Sequence, residues 1–346
     1  MKVSLFDYEL PADRIAQAPR ERGSSRLLVL DRRSGEVSHR RFADLPSLLR
    51  PGDVLVRNDV RVRNARLWGR DPGGRLTEIF LVESESGDRA RWQALARPGR
   101  RAKPGRRLDF PDGVTGTIVS VSADGRREVL FDRPIDDAYL ERSGSIPLPP
   151  YIRRTAGGPD RDEDRAAYQT VFARQPLAVA APTAGLHFTG AVLDEIAARG
   201  VEIADLTLAV GPGTFKPVTS DDTESHAMDA ERVSIPSATR RAVGRAALSG
   251  ARVVAVGTTV ARSLEAAARS GENPDGALDF STDLFITPGF DFRAIDALLT
   301  NFHLPASTLL MLVCAFAGRE RVLAAYQEAI REGYLFYSFG DAMWIA

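Results

Sequence analysis

The stretch ARVVAVGTTVARSLEAAAR, residues 251–269, decides the fold class. Its first part, Arg252–Val256, is a short apolar run typical of a strand that is buried on both faces. Gly257 separates this run from Thr258–Arg269, which we predict to be a helix. The same elements recur on both sides of it, as helix Gly190–Arg199, strand Val201–Val210, helix Pro236–Leu248 and helix Gly318–Arg331. Alternating strands and helices indicate an α/β (or α+β) domain.

Outward from this unit, the first 60 residues also mix short strands and helices. They include a predicted hairpin of Arg26–Leu30 and Glu36–Arg40. The window from Arg61 to Pro150 differs, because it shows no convincing helical period and is punctuated by glycine and proline turns. Its short alternating runs are Leu76–Val82, Arg91–Ala96, Leu108–Phe110, Val114–Val121 and Arg127–Phe131.

Evenly spaced short strands of this kind predict a small antiparallel β-barrel. We therefore expect a discontinuous α/β catalytic domain, residues 1–60 and 151–346, into which a β-barrel domain, residues 61–150, is inserted. The stretch SGSIPLPPYI at 143–152 is predicted to be a rigid exit linker, since its three prolines cannot continue a helix or a central strand.

Composition excludes several classes of function. The chain has 346 residues, more than one typical domain holds, and a single cysteine. One thiol cannot form an intramolecular disulfide, a CxxC zinc site or a cysteine-ligated iron–sulfur cluster, which excludes a radical enzyme built on three cysteines. Cys314 lies in the apolar run Leu309–Ala317 and is predicted to be a core residue. That run is too short to span a bilayer, and the amino-terminal residues lack the pattern of a signal peptide, so we expect a cytoplasmic protein.

Positive charge is concentrated in the predicted barrel. The whole chain carries 46 basic and 46 acidic residues, whereas the window Arg61–Arg154 holds 19 basic against 13 acidic. The shorter window Arg89–Arg107 holds eight basic residues and no acidic one. With the arginines between Arg61 and Arg70, it indicates a surface that follows nucleic-acid phosphates, and a solvated charged face is the alternative.

Polar segments follow predicted strands, where the ligand sites of α/β sheets gather. AAPTAGLHFTG at 180–190 carries Thr183 and His187, and VGPGTFKPV at 210–218 forms a tight loop with free backbone N–H groups. Capping and packing are the alternative for the first segment, and an ordinary turn for the second. SHAMDAERV at 225–233 groups a histidine with two carboxylates for acid/base chemistry, at a spacing that matches no zinc pattern.

Two further segments complete the set. GTTVARSLE at 257–265 places two hydroxyls and Arg262 at the start of a predicted helix. TNFHLPASTLLML at 300–312 places Asn301 and His303 just before an apolar helix or strand, and the aromatic tail YSFGDAMWIA contains Asp341. Ordinary packing is the alternative for each of these segments.

Together these segments resemble one family. PTAGLHFT, VGPGTFKPV, GTTVARSLE, TNFHLPASTLLMLVCAFAG and YSFGDAMWI are similar to motifs of the S-adenosylmethionine:tRNA ribosyltransferase-isomerases of queuosine biosynthesis, and the likeness runs nearly end to end. The resemblance implies transfer of the ribosyl part of S-adenosylmethionine to 7-aminomethyl-7-deazaguanine at the wobble position of tRNA. The sugar rearranges to an epoxycyclopentane, giving epoxyqueuosine, while adenine and methionine leave.

The resemblance also implies an α/β domain with an inserted barrel, and no cofactor or metal beyond S-adenosylmethionine as the ribosyl donor. We expect a monomer that binds tRNA and S-adenosylmethionine and no membrane. The reaction needs a base beside the sulfonium and an acid for the departing adenine.

Residues at matching positions are assigned by this resemblance. The catalytic candidates are His187, His303, His226, Glu231 and Asp341, with His187 or His303 as the general base or acid. The substrate-binding candidates are Thr183, Gly185, Gly211, Gly213, Thr214, Phe215, Thr258, Thr259, Arg262 and Asn301. The two basic windows, and not the resemblance, supply the tRNA-binding candidates, which are Arg61, Arg63, Arg66, Arg97, Arg100, Arg101 and Lys103. No residue is assigned to a metal.

Departures from the family pattern leave two alternatives open. Asp229 stands where the family usually has a histidine, and Asp59 stands where it has an asparagine. An aspartate is not a cationic acid near neutral pH. An inactive tRNA-binding paralogue would bind RNA without releasing adenine. A different S-adenosylmethionine-dependent transferase would release methylthioadenosine or homocysteine.

Overall fold

The computed structural model of the chain describes residues 1–85, 88–155, 162–211, 218, 220–271 and 276–346. The described chain divides into two compact units, Met1–Arg61 with Ala167–Ala346 and Val62–Ala166. The first unit contains a large mixed sheet with helices, and the second contains a closed antiparallel barrel. This architecture confirms the predicted fold class.

The strands in chain order are β1 (Arg26–Leu30), β2 (Val37–Arg41), β3 (Val54–Asn58), β4 (Val60–Val62), β5 (Arg66–Arg70), β6 (Leu76–Glu85), β7 (Asp88–Arg97), β8 (Arg107–Asp109), β9 (Thr115–Val121), β10 (Arg127–Phe131), β11 (Gln175–Ala178), β12 (Glu202–Leu208), β13 (Glu231–Ile235), β14 (Val253–Val256), β15 (Leu278–Thr282), β16 (Ala297–Asn301) and β17 (Ala342–Ile345). The α-helices are α1 (Leu45–Leu48), α2 (Asp137–Ser143), α3 (Asp162–Ala167), α4 (Gly190–Ala198), α5 (Ser237–Ser249), α6 (Thr258–Ala267), α7 (Thr308–Ala317) and α8 (Arg319–Arg331).

Nine of the described strands form the sheet of the first unit, in the order β15-β13-β12-β3-β14-β16-β17-β1-β2. The central strands β12, β3, β14 and β16 run parallel. β17 is antiparallel to β16 and parallel to β1. The carboxyl ends of the four central strands therefore share one edge of the sheet with the amino ends of β17 and β1.

Helices cover both faces of this sheet. On one face, α1 and α4 pack in a hydrophobic core with Leu55 of β3 and with Val254 and Val256 of β14. Because strand side chains alternate, Val253 and Ala255 point to the opposite face. There α5 and α6 contact β12, β3 and β14 without joining that core. Each helix thus buries an apolar side, which is the usual way in which an α/β domain is stabilised.

Local sequence signals set the ends of α4. The Thr189 hydroxyl accepts a hydrogen bond from the Val192 N–H, which satisfies one of the donors that a helix start leaves unpaired. Gly200, at φ +77°, follows the helix in a left-handed conformation that other residues rarely adopt. Both residues act as the sequence predicted.

The second unit is the predicted barrel, in which six of the described strands close in the order β10-β7-β6-β5-β8-β9. Its interior holds the buried side chains of Leu67, Ile79, Trp92 and Ile118. The Phe110 ring lies so close to Gly69 that a Cβ atom there would stand 2.8 Å from it. Glycine is required at this point because the aromatic ring fills the space.

Two predictions about this window are wrong, and one barrel strand, β5, was not predicted because its ends are charged. The first error is that α2 forms a helix where no helical period was expected. The Asp136 carboxylate caps α2 by accepting a hydrogen bond from the Tyr139 N–H. This cap stabilises the start of a helix that has only seven residues. The stretch 143–152 is packed rather than a linker, because Ile146 and Leu148 are buried and the Leu148 carbonyl accepts from Arg66.

Cys314 is buried in α7, as predicted, and burial raises the pKa of its thiol to about 12. A thiol that stays protonated at neutral pH is inert as a nucleophile. None of the helices described is both long and apolar enough to cross a membrane.

Candidate functional site

Most of the predicted site segments meet at one edge of the main sheet. Gly211 follows β12, Thr258 follows β14, and Asn301 ends β16. Asp341 and Ser25 come immediately before β17 and β1, whose amino ends share this edge. The carboxyl edge of the parallel strands is where open α/β sheets bind ligands.

His187 lies at the centre of one cluster on this edge. It ends a short 3-10 turn, Thr183–His187, and is 4% exposed. Its Nδ1 is 2.9 Å from the Ser25 hydroxyl, and its Nε2 is 3.1 Å from the Asn301 amide nitrogen. The Phe42 ring is 5.2 Å away. Burial lowers the pKa of His187 to about 4, against a smaller opposing effect of Asn301, so the ring is neutral at pH 7.

The hydrogen bonds determine which nitrogen carries the proton. The Asn301 amide nitrogen also donates to the Tyr337 carbonyl at 3.0 Å, and a flipped amide would place two acceptors against each other. Nε2 of His187 therefore accepts, and Nδ1 carries the hydrogen that it donates to Ser25. In a hydrolase triad the imidazole instead accepts from the serine hydroxyl. This cluster is consequently not arranged to activate a nucleophilic serine.

The His187 cleft, as we name it, is an open cavity with about 390 Å³ of empty space, part of which is open solvent. It is lined by Pro19, Arg20, Glu21, Arg22, Ser25, Ala167, Leu186, His187, Ser338, Phe339 and Gly340. Asp341 is fully buried behind this wall, where its carboxylate accepts from the N–H groups of Arg26 and Leu335 and from the Arg20 guanidinium. Three donors on one carboxylate indicate a structural role, joining β1, β17 and the loop that carries Arg20.

A second open cavity, the Arg262 cleft, also has about 390 Å³ of empty space, part of which is open solvent. It is lined by Met228, Thr258, Thr259, Arg262, Leu284, Phe285, Ile286, Thr308, Leu309 and Leu312. Mainly apolar walls with a few hydroxyls and one cation are typical of a small-molecule site.

Charged groups are paired at the back of the Arg262 cleft. Arg262 forms a buried ion pair with Glu231, and the other carboxylate oxygen of Glu231 accepts from the Gly211 N–H at 2.9 Å. Burial lowers the pKa of Arg262 to about 10, while Asp283 acts in the opposite direction, so the guanidinium stays charged at pH 7. His226 is half-buried with its ring edge-to-face against Phe285, at a centroid distance of 5.3 Å.

His303 lies apart from His187. Thr300 and Asn301 are neighbours on β16, so their side chains point to opposite faces of the sheet. His303 bonds Thr300 at 2.8 Å, whereas His187 bonds Asn301. The backbone N–H of His303 donates to the Tyr326 hydroxyl. Burial lowers the pKa of the His303 ring to about 3. Among the described residues, those that line the two clefts do not include His303.

The remaining substrate candidates are placed as follows. Thr183 and Gly185 belong to the turn that carries His187, and a Cβ atom on Gly185 would lie 2.8 Å from the Phe172 ring. Gly213, Thr214 and Phe215 lie outside the described residues. Asp229 is half-buried next to Met228 of the Arg262 cleft.

The tRNA candidates divide into two groups. Arg97, Arg100 and Lys103 are exposed on the barrel, and Arg61 is exposed in the first unit. The other three are bound into the barrel: Arg63 stacks over Trp92, Arg66 donates to the Leu148 carbonyl, and Arg101 donates to the Leu76 carbonyl. A guanidinium that supports a barrel wall is less available to a phosphate.

Sequence reasoning missed Ser25, Arg20 and Arg22 of the His187 cleft. Ser25 is 162 residues from His187 in the chain, and a serine before a strand carries no signal of its own. In the part of the chain that is described, no three His, Cys, Asp or Glu side chains are grouped so that they could hold a metal ion.

Comparison with known proteins gives consistent matches. The family described as queuosine biosynthesis protein matches residues 3–345. An S-adenosylmethionine:tRNA ribosyltransferase-isomerase of Citrifermentans bemidjiense is 51% identical, with 100% of each chain covered. One from Heliobacterium modesticaldum is 49% identical with the same coverage. The crystal structure of an S-adenosylmethionine tRNA ribosyltransferase from Thermotoga maritima matches with a TM-score of 0.57 and 37% identity, over 99% of this chain and 100% of that one.

Proposed function

The chain belongs to the queuosine biosynthesis family of S-adenosylmethionine:tRNA ribosyltransferase-isomerases, and from this we propose the reaction that it catalyses. It transfers the ribosyl part of S-adenosylmethionine to 7-aminomethyl-7-deazaguanine at the wobble position of tRNA. Adenine and methionine leave, and the rearranged sugar gives epoxyqueuosine. The observation that carries this proposal is identity of about half the residues over the full length of the relatives.

Proton transfer in this reaction is assigned to His226. Both ring nitrogens of His187 are engaged with Ser25 and Asn301, and His303 is buried against Thr300. His226 is half-buried with its ring against Phe285, which lines the Arg262 cleft, so this histidine lies beside that cleft. The apolar walls and hydroxyls of that cleft suit the nucleoside part of S-adenosylmethionine.

The decisive assay combines purified protein, S-adenosylmethionine and tRNA that carries 7-aminomethyl-7-deazaguanine. Mass spectrometry should find adenine, methionine and a nucleoside of epoxyqueuosine mass. Binding of tRNA without adenine would instead identify an inactive paralogue. Methylthioadenosine or homocysteine would identify a different transferase.

A substitution tests the assignment of His226. The His226→Asn variant should lose most of its kcat while it keeps its affinity for tRNA, because only the proton-transferring group is removed. His39→Asn is the matched control, since His39 lies on the edge strand β2 and bonds Tyr334. Full turnover by the His226 variant would refute the assignment.

The tRNA surface of the barrel is assigned to its exposed cations. Charge reversal at Arg97, Arg100 or Lys103 should weaken tRNA binding and reduce its dependence on salt by about one unit of slope per contact. Arg142→Glu, at an exposed residue of α2, is the control. Binding is measured at several salt concentrations, and equal weakening by the control would show that only the overall charge matters.

A further inference from the structure

The Ser25 hydroxyl occupies a fixed and buried position. Ser25 is 5% exposed, lies directly before β1, and has its backbone carbonyl held by the Phe42 N–H at 2.9 Å. Its side chain lines the His187 cleft and is 2.9 Å from Nδ1 of His187. Backbone and side chain are therefore both held, and only the hydroxyl hydrogen is free to rotate.

The His187 tautomer decides where that hydrogen points. Nδ1 of His187 donates to the Ser25 oxygen because Nε2 accepts from Asn301. A hydroxyl that accepts from its neighbour must send its own hydrogen elsewhere. The open side of Ser25 is the cleft, so the hydroxyl presents a donor to whatever binds there.

Cationic side chains also line the His187 cleft. Arg20 and Arg22 line it; Arg20 is exposed and also donates to Asp341, while Arg22 donates to the Gln169 carbonyl and burial lowers its pKa. Two carboxylates belong to this region: Asp341, behind the wall, accepts from three donors, and Glu21 lines the cleft and is exposed. A buried hydroxyl donor beside guanidinium groups matches an anionic oxygen ligand.

We propose that Ser25 contacts substrate, donating a hydrogen bond to the carboxylate of the amino-acid part of S-adenosylmethionine, and that Asn301 is a positioning residue that holds His187 in the required tautomer. The proposal rests on the proposed function, which supplies the substrate. A carboxylate ends a flexible chain and can reach a hydroxyl that is only 5% exposed. A tRNA phosphate is flanked by two sugars, which would keep it at the rim.

Binding measurements with two ligands test the contact. The probes are S-adenosylmethionine and its decarboxylated analogue, and the proteins are the wild type and Ser25→Ala. Loss of a hydrogen bond to a charged group should weaken S-adenosylmethionine binding by about tenfold or more. Wild type should bind the analogue more weakly than S-adenosylmethionine, and Ser25→Ala should show little further loss with the analogue, because the contact is already absent.

The matched control is Ser24→Ala, since Ser24 is exposed and bonds only locally, to the Glu21 carbonyl. It should keep wild-type affinity for both ligands. Independent, additive losses from Ser25→Ala and from removing the carboxylate would overturn the proposal. So would a Ser25→Ala variant that lost tRNA affinity alone, which would assign the cleft to a phosphate.

The role of Asn301 is tested by Asn301→Asp. A carboxylate accepts where the amide donated and also raises the pKa of His187. Above that pKa the remaining hydrogen should therefore lie on Nε2, and Nδ1 should accept from Ser25. The ¹⁵N shifts of His187, assigned with a His187→Gln variant, report this change directly. Affinity for S-adenosylmethionine should fall as far as in Ser25→Ala, and a wild-type spectrum with hydrogen on Nε2 would overturn the proposal.

These outcomes are separable from failure of the proposed function. Wild-type protein that binds S-adenosylmethionine but releases no adenine refutes the reaction, while the affinities still judge the Ser25 contact. Wild-type protein without affinity for S-adenosylmethionine, alone or with tRNA, refutes both.

Discussion

Lowering the pH from 7.5 to 5 should destabilise the protein through two buried histidines. His187 is 4% exposed and His303 8%, and burial lowers their pKa values to about 4 and about 3. In the unfolded chain both titrate near the ordinary value of about 6.5. Below that value the unfolded state binds protons that the folded state does not. Their contribution to stability is therefore complete above about pH 6.5 and is lost as the pH falls towards the folded pKa values.

The size of this loss of stability follows from how far the pH lies below the pKa of the unfolded chain. At pH 5, about 1.5 units below the unfolded pKa, each neutral buried histidine lowers the free energy of unfolding by about 2 kcal/mol. The two together give about 4 kcal/mol, which is a large part of the stability of an ordinary domain. Because pH 5 lies above both folded pKa values, the result depends little on how far below 5 they are.

The assay is urea unfolding at both pH values, followed by tryptophan fluorescence and by circular dichroism, whose agreement checks two-state behaviour. His303→Gln keeps a neutral polar side chain and should lose about 2 kcal/mol less than the wild type on acidification. Thr300→Val removes the partner of His303 but keeps the ring, so it should lower stability and retain the wild-type pH dependence. If His303→Gln lost as much stability as the wild type, the reasoning would be refuted.

Three other substitutions have defined outcomes. Gly185→Ala places a methyl group 2.8 Å from the Phe172 ring, so the turn must shift. The free energy of unfolding should fall by about 1–3 kcal/mol and the rate of adenine release by at least about tenfold. Unchanged turnover would contradict this prediction. Glu231→Gln leaves Arg262 buried without its carboxylate and should cost about 3–5 kcal/mol in urea unfolding. Thr189→Ala removes a helix cap and should cost about 1 kcal/mol in thermal unfolding without changing affinity for S-adenosylmethionine.

Local features of the fold could be predicted because their causes are local. The cap at Thr189 and the left-handed Gly200 follow from the needs of a helix end, whatever the helix packs against. β5 escaped prediction because Arg66 and Arg70 stand at its ends, and because its burial comes from pairing with β6 and β8 in the closed barrel. α2 has seven residues, too few for a helical period to show, and its cap at Asp136 was the available signal.

The segments that contribute to the candidate site could be predicted from the sequence, but the arrangement of their side chains could not. Polar residues after strands predicted a site at the carboxyl edge of the sheet, and most of these residues lie at that edge. However, Thr300 and Asn301 are neighbours in sequence and point to opposite faces, which separates His303 from His187. The tautomer of His187 depends on Asn301, 114 residues away, and sequence does not carry that information.

The position of β17 governs the order in which the molecule can fold during synthesis. It is the last strand in chain order, yet it lies inside the sheet between β16 and β1. At about 5–20 residues per second, roughly 15 to 60 s pass between synthesis of β1 and of β17. The barrel unit, which is contiguous at Val62–Ala166, can close during that interval. The hairpin β1–β2 is made early, and the edge of β1 that pairs with β17 stays open until β17 has been synthesised.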